Sequence, residues 1–237
     1  TWINDAGVSV YGELRDVPLD DARQVFETNY WGTVHGSLIA ADIFRTRTGD
    51  AAGCLVNIGR RLADRAVPLL GHDAASKQAV ETFTDTLRAE LTREGVPMVV
   101  TLVKPSSVNT PLPEHAGNYL REGAPSLPAP VYEPEVVART IVAVSERPTR
   151  QIVVGVGGHL PATGTLFSTL SERLEAGLFE GRTRPDRRTP RGPGNVQEPQ
   201  ADGNRVHGDA GPLTLKSSLS TWTRLHPGAT LGAALAM

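Results

Sequence analysis

The chain has 237 residues, 39% of them hydrophobic, and a net charge of −2, which suits one globular domain with a sizeable core. That near-neutral balance gives no reason to expect nucleic acid or an anionic membrane surface as a partner, and the single cysteine, Cys54, excludes an intrachain disulfide and a cysteine-rich zinc site. No apolar run approaches the ~20 residues a membrane span needs, no signal peptide opens the chain, and no metal-ligand cluster stands out, so a cytoplasmic location is expected.

Taken in order, the chain opens on an apolar strand fragment, Thr1 to Asn4. A strand with nothing before it reads as a fragment or a truncated gene product. A helical pattern covers roughly Asp20 to Phe44, with Phe26, Val34, Leu38 and Ala41 expected on its buried face. Cys54 to Ile58 is a short apolar run of the kind that forms buried parallel strands, with Cys54 as an inert thiol. The next helix is expected over Ala74 to Arg93, burying Val80, Phe83, Leu87 and Leu91 and stopping at Gly95 and Pro97. Met98 to Val103 is β-branched and strand-like. Pro111 to Pro130, with five prolines, reads as a long loop of the kind that often forms a lid. Pro134 opens a third helix, with Val137, Ile141 and Val144 buried, and Gln151 to Val156 supplies a last strand. Alternating strands and helices from Thr1 to about Val156 predict an α/β fold with a parallel sheet, in a domain placed over residues 1–180. Gly181 to Pro212 is rich in Arg, Pro and Gly with little to bury, so 181–237 is expected to be a mostly disordered tail.

Five segments agree in order and spacing with one family: Asn4-Asp5-Ala6-Gly7, Asn29 within a helix, Val56-Asn57-Ile58-Gly59, Asp73-Ala74-Ala75-Ser76-Lys77, and Lys104-Pro105-Ser106. Over residues 1 to about 156 the chain resembles the short-chain dehydrogenases/reductases. That resemblance implies a doubly wound, Rossmann-like parallel sheet binding NAD or NADP and hydride transfer between the nicotinamide and a small-molecule carbonyl or alcohol. It also implies homo-oligomerisation through the helices at 20–44 and 74–93. In the family a Tyr transfers the proton, a Lys four residues on lowers its pKa and holds the ribose, a Ser about thirteen residues earlier orients the substrate oxygen, and an Asn holds a relay water. By resemblance, Lys77 is that lysine and Asn29 that asparagine. Asn4, Ala6, Gly7, Lys77, Pro105, Ser106 and Thr110 fall where the family contacts its cofactor. Asp5 stands for the family's second Asn, and Ser106 for the Gly of Pro-Gly.

Two departures bear on chemistry. Asp73 occupies the Tyr position and Arg60 the Ser position. A carboxylate beside a lysine stays charged and has no proton to give, and Asp73 also suits a helix N-cap. Arginine has no hydroxyl and stays protonated. Three roles for Arg60 stay open: stabilising a developing alkoxide, an ion pair with Asp73 that plugs the site, or simple exposure alongside Arg61. No Gly-x-x-x-Gly-x-Gly follows a strand, so the phosphate-binding turn of a dinucleotide fold is not found, and the sheet is expected to be incomplete at its N-terminal side. The expectation is an NAD(P)-dependent oxidoreductase with weak or absent turnover. The alternatives are a non-catalytic binding or scaffold subunit and a decayed gene product.

Overall fold

A computed structural model of the chain describes residues 1–47, 52–61, 68–155, 183–184, 189–200, 203–211 and 213–226. Among these, four strands form one parallel sheet: β1 (Trp2–Asn4), β2 (Gly53–Ile58), β3 (Met98–Pro105) and β4 (Gln151–Val154), hydrogen-bonded in that order. Asn4 pairs with Asn57, Val56 with Thr101 and Lys104 with Val153. Every β2 residue is buried, as a parallel strand covered on both faces requires. Cys54 is a buried free thiol, and burial pushes its pKa up. No described helix is long and apolar enough to cross a membrane.

Helices cover both faces. Ala40, Ala41 and Phe44 pack with Leu87 and Leu91 against Leu55 and Val100 on one side, and Val136 and Val144 pack against Val56, Val103 and Ile152 on the other. The helix expected over 20–44 is two helices, α1 (Leu19–Phe26) and α2 (Gly32–Arg45), joined by a π-helical turn at Glu27–Trp31. A π turn adds a residue and rotates the helix beyond it. The buried face therefore changes across the turn: Ala22 and Val25 are buried before it, Val34 and Ala41 after it, while Phe26 is only half-buried and Leu38 is exposed. Helix α3 (Gly71–Glu94) starts three residues earlier than expected and ends at Gly95, whose φ of 68° is the left-handed C-cap glycine tolerates. Asp73 is consequently in the first turn and is not the N-cap, a position held by Leu70. Helix α4 (Pro134–Glu146) buries Val136, Thr140 and Val144, whereas Val137 and Ile141, expected in the core, are only partly buried.

The 111–130 segment carries a short helix, Leu112–His115, and two-residue strands at 117–118 and 124–125. Of the tail expected to be disordered, the described stretches lie against the domain. Asn118 and Gly192 pair backbone to backbone, and Val196 is buried with Val10, Val17 and Val25. Thr214 and Leu215 add a strand beside Val131 and Tyr132. Helix α5 (Leu219–Leu225) is anchored by Thr221 Oγ1, which accepts from Gly155 N at 3.0 Å. These contacts combine backbone bonds with side-chain bonds such as Gln197 to Asp21 and Thr214 to Glu133. Val156 and the rest of the glycine-rich stretch after Gly155 lie outside the described residues.

Candidate functional site

The carboxyl ends of β1, β2 and β3 and the first turns of α3 converge on a cavity of about 430 Å³. In open α/β sheets ligand clefts form at this end of the strands. Its polar lining includes Asp5, Arg60, Asp73, Lys77, Ser106 and Thr110. Of the residues picked from sequence, Gly7, Arg60, Asp73, Lys77, Pro105, Ser106 and Thr110 therefore meet in one place. Asn4, Ala6 and Asn29 do not line it.

At the floor, Arg60 Nη1 donates to Asp73 Oδ2 at 2.5 Å, with the Asp73 side chain 2% and the Arg60 side chain 15% exposed. Of the three roles left open for Arg60, the geometry takes the ion pair, and solvent exposure is excluded. Arg60 also hydrogen-bonds the Tyr11 hydroxyl. Burial works against its cation, but the Asp73 charge and Tyr11 outweigh it and hold its pKa above the ordinary value. Tyr11 is itself buried. The sequence offered no signal for it, because its partner lies 49 positions away, across a chain reversal.

Lys77 Nζ donates to the Ile58 carbonyl at 3.1 Å. Burial, reinforced by the Arg60 charge and opposed by Asp73 and Asp5, lowers its pKa. Its neighbour one turn on, Glu81, pairs instead with the buried Lys104 at 2.7 Å. Positions 73, 77 and 81 thus form one stripe of α3 facing the strand ends, alternating in charge, with Arg60 and Lys104 at its two ends.

Asn29 is fully buried in the π turn. Its Oδ1 accepts from Val8 N at 2.9 Å, while Nδ2 donates to Val8 O at 3.0 Å and to Ser76 Oγ at 2.9 Å. The side chain acts as a clamp between the loop after β1 and α3. Its backbone carbonyl accepts from Thr33 Oγ1 at 2.8 Å. Asn4 is likewise structural: Nδ2 donates to Asn57 Oδ1 at 2.8 Å and to Ser37 Oγ at 3.0 Å, and Oδ1 accepts from Trp2 Nε1. With Asn57 Nδ2 donating to Thr84 Oγ1 at 3.0 Å, this network ties β1, β2, α2 and α3 into one frame behind the cavity.

Sequence reasoning missed the apolar walls. Val8, Ile58, Val108, Leu112, Leu127, Val137 and Ile141 line the cavity; the last two have the spacing of core residues, which conceals the role. It also passed over Glu133, Glu135 and His207, whose ligand-type atoms lie within 4.8 Å of one another. Glu133 already accepts from Thr214 and Asn109, and His207 Nε2 lies 2.9 Å from Glu135, so pairing among themselves accounts for the grouping.

A sequence profile of the short chain dehydrogenases matches residues 1–118. The uncharacterized oxidoreductase YxnA of Bacillus subtilis is 35% identical over 175 residues, 73% of this chain and 49% of that protein. Dehydrogenase/reductase SDR family member 7B of Xenopus tropicalis is 28% identical, over 78% of this chain and 59% of its own length. The chain thus spans about half the length of the curated relatives it matches. Among solved structures, a short chain dehydrogenase/reductase from Burkholderia phymatum in complex with NAD superposes with a TM-score of 0.55 at 22% identity, over 79% of this chain and 69% of that one. One from Burkholderia cenocepacia in complex with NADP gives 0.57 at 22%, over 74% and 67%. At that identity the likeness is one of fold.

Proposed function

The chain belongs to the short-chain dehydrogenase/reductase family, and we propose that it is an NAD(P)-linked carbonyl or alcohol oxidoreductase of that family whose proton-transfer step is weak or lost. The observation that carries this reading is the Arg60–Asp73 ion pair, which fills the two positions where the family keeps its proton-transferring Tyr and orienting Ser.

The residues present fit the nicotinamide end of the cofactor. Gly7 lies against Lys77, with the position of a Cβ there 3.4 Å from both Lys77 Nζ and Asn29 Oδ1, and Pro105, Ser106 and Thr110 stand on the same cavity. Lys77, Gly7, Ser106 and Thr110 would hold that end, where the nicotinamide, when bound, supplies the hydride. For the pyrophosphate end, no Gly-x-x-x-Gly-x-Gly pattern follows a strand in the sequence.

Carbonyl reduction puts negative charge on the substrate oxygen, which must receive a proton. The Asp73 carboxylate, held against the guanidinium, has none to offer, and Arg60 does not release one. Arg60 can stabilise a developing alkoxide electrostatically, and Lys77, its pKa lowered by burial, is the lining group best placed to give up a proton. Both keep a residual reaction chemically accessible without restoring the family's relay. A cytoplasmic setting belongs to this reading, in keeping with a buried free cysteine.

The test is NAD(P)H oxidation against a panel of carbonyls, with the chain expressed behind a glycine-rich N-terminal half and nucleotide binding followed by fluorescence. The paired change Arg60→Ser with Asp73→Tyr is expected to raise turnover about 100-fold or more, the usual contribution of a positioned general acid. Equal turnover by the unaltered chain would defeat the proposal.

A second reading, a binding or scaffold subunit, draws on the outward face of the helices. Tyr30 packs edge-on against Trp31 and Phe83, a shallow cleft is lined by Tyr30, Ala79 and Phe83, and Trp31 beside it is exposed. We propose this face as the self-association surface. Light scattering should then show a dimer that Phe83→Glu dissociates; a monomer at all concentrations would remove this reading.

A further inference from the structure

The walls and floor of the cavity differ in chemistry. Val8, Ile58, Leu112, Leu127, Val137 and Ile141 make its sides aliphatic. At the floor, two cations, Arg60 and Lys77, face one buried carboxylate, Asp73. The only other charged residue among the described lining, Asp5, is exposed at the rim, where water screens it. Asp5 still acts on Lys77, but from the solvent side, so of the two floor cations only one has a buried counter-charge, and the other is balanced through water, where pairing is weak. Arg60 has five N–H donors in a rigid fork. Among the described residues its partners are Asp73 and Tyr11, and Arg60 itself lines the cavity, so the fork can offer further donors to a ligand.

We infer that the cavity binds an amphipathic monocarboxylate, its carboxylate on the Arg60 guanidinium and its hydrocarbon body along the aliphatic walls. A neutral alcohol of equal length gains the wall contacts but leaves the second floor cation without a buried counter-charge, and an amine adds a further cation. The volume of about 430 Å³ falls in the ordinary range for small-molecule pockets. Arg60 then acts as a specificity-determining residue, and Asp73, by neutralising part of the cation, sets how strongly anions are preferred. This inference takes the cleft to be the ligand site of the proposed function, but it needs no dinucleotide and no turnover.

The test uses the full chain without nucleotide and compares octanoate, octan-1-ol and octylamine by calorimetry. Octanoate is expected to bind about tenfold more tightly than octan-1-ol, the worth of a charge-assisted hydrogen bond, with octylamine weakest. Arg60→Met should bring octanoate and octan-1-ol to within about twofold, since Lys77 and Asp73 then cancel. Asp73→Asn, which keeps the shape of the side chain, should move the preference the other way, beyond tenfold. Equal binding of octanoate and octan-1-ol by the unaltered chain overturns the inference, and so does an Asp73→Asn variant whose preference is unchanged or reduced. Failure here leaves the redox reading intact, because that reading is judged by nucleotide oxidation alone.

Discussion

Removing Arg60 tests whether the ion pair is the keystone of the site or an incidental contact. Two unit charges about 4 Å apart attract by about 4 kcal/mol at an effective dielectric of 20, and desolvation of both groups cancels much of that. Breaking such a pair from one side is costly all the same, about 3–5 kcal/mol for a fully buried pair, because the survivor is stranded. Arg60→Met strands Asp73, which is 2% exposed, but Lys77 remains nearby, so the expected loss is about 2–3 kcal/mol. Asp73→Asn strands Arg60 against a second cation, Lys77, and Tyr11 relieves only part of that, so the loss is larger, about 3–4 kcal/mol. In the double variant neither charge is stranded, and the cost should be well below the sum, leaving a coupling energy of about 2 kcal/mol. Urea unfolding of the four proteins with matched m-values measures this directly. Additivity of the single losses to within about 0.5 kcal/mol would refute the reasoning, since groups without shared energetics add.

Three further outcomes concern other parts of the molecule. Tyr119 donates to Asp21, and burial, with that bond and the Asp21 charge, pushes its pKa up to about 12 from 10.0. A raised folded-state pKa contributes stability that is complete below pH 10 and is lost as pH rises toward 12. Two units correspond to at most ~2.7 kcal/mol, and solvent screening at this half-buried site brings it to about 1. Unfolding curves from pH 8 to 12 should show this loss in the unaltered chain and not in Tyr119→Phe, and parallel curves would contradict it. Asn57→Leu takes the central amide from the network of Asn4, Ser37 and Thr84 and should cost about 2–3 kcal/mol in chemical denaturation; a neutral result would mean the frame does not depend on it. Gly194 has φ 59°, and a Cβ there would come within 2.4 Å of the His115 carbonyl oxygen, so Gly194→Ala should free the 189–200 stretch to proteolysis while the sheet's unfolding midpoint moves little. Unchanged protection would show that the tail is held elsewhere.

How much of the molecule is legible in its sequence depends on the range of each interaction. The strands were legible because β2 and the centre of β3 are continuous apolar runs, and the end of α3 was legible because Gly95 is a local stop signal. Asp73, Lys77 and Arg60 were legible because a helix fixes the four-residue spacing and the family fixes the thirteen. The π turn at Glu27–Trp31 was not, since its cause is tertiary: Asn29 must reach Val8 and Ser76 at once, and no pattern within the helix announces that. The contacts of Gly192 and Val196 were not legible in composition, because they consist of a backbone bridge and one buried side chain. Val137 and Ile141 were read as core because a cavity wall and a core have the same periodicity.

On the proposed function, in which Asp73 and Arg60 replace a Tyr and a Ser, the ion pair constrains the order of the two changes and of their reversal. Starting from a neutral Tyr and Ser, an Asp at position 73 alone would put an added carboxylate beside Lys77. That state is tolerable, because the pairing favours both charges. An Arg at position 60 alone would place a second buried cation against Lys77 with no anion between them, a like-charge juxtaposition in a poorly solvated site. The easier order is therefore Asp73 first and Arg60 second. The same asymmetry governs reversal. Arg60→Ser alone leaves Asp73 with Lys77 as its remaining partner, whereas Asp73→Tyr alone leaves Arg60 facing Lys77 across an uncharged ring. Asp73→Tyr should therefore be the less stable single variant, even though it supplies the residue on which proton transfer depends in the proposed reaction. That is why the paired change is the informative test of chemistry in this cleft: a single change could fail through electrostatics before the proton donor is ever tried.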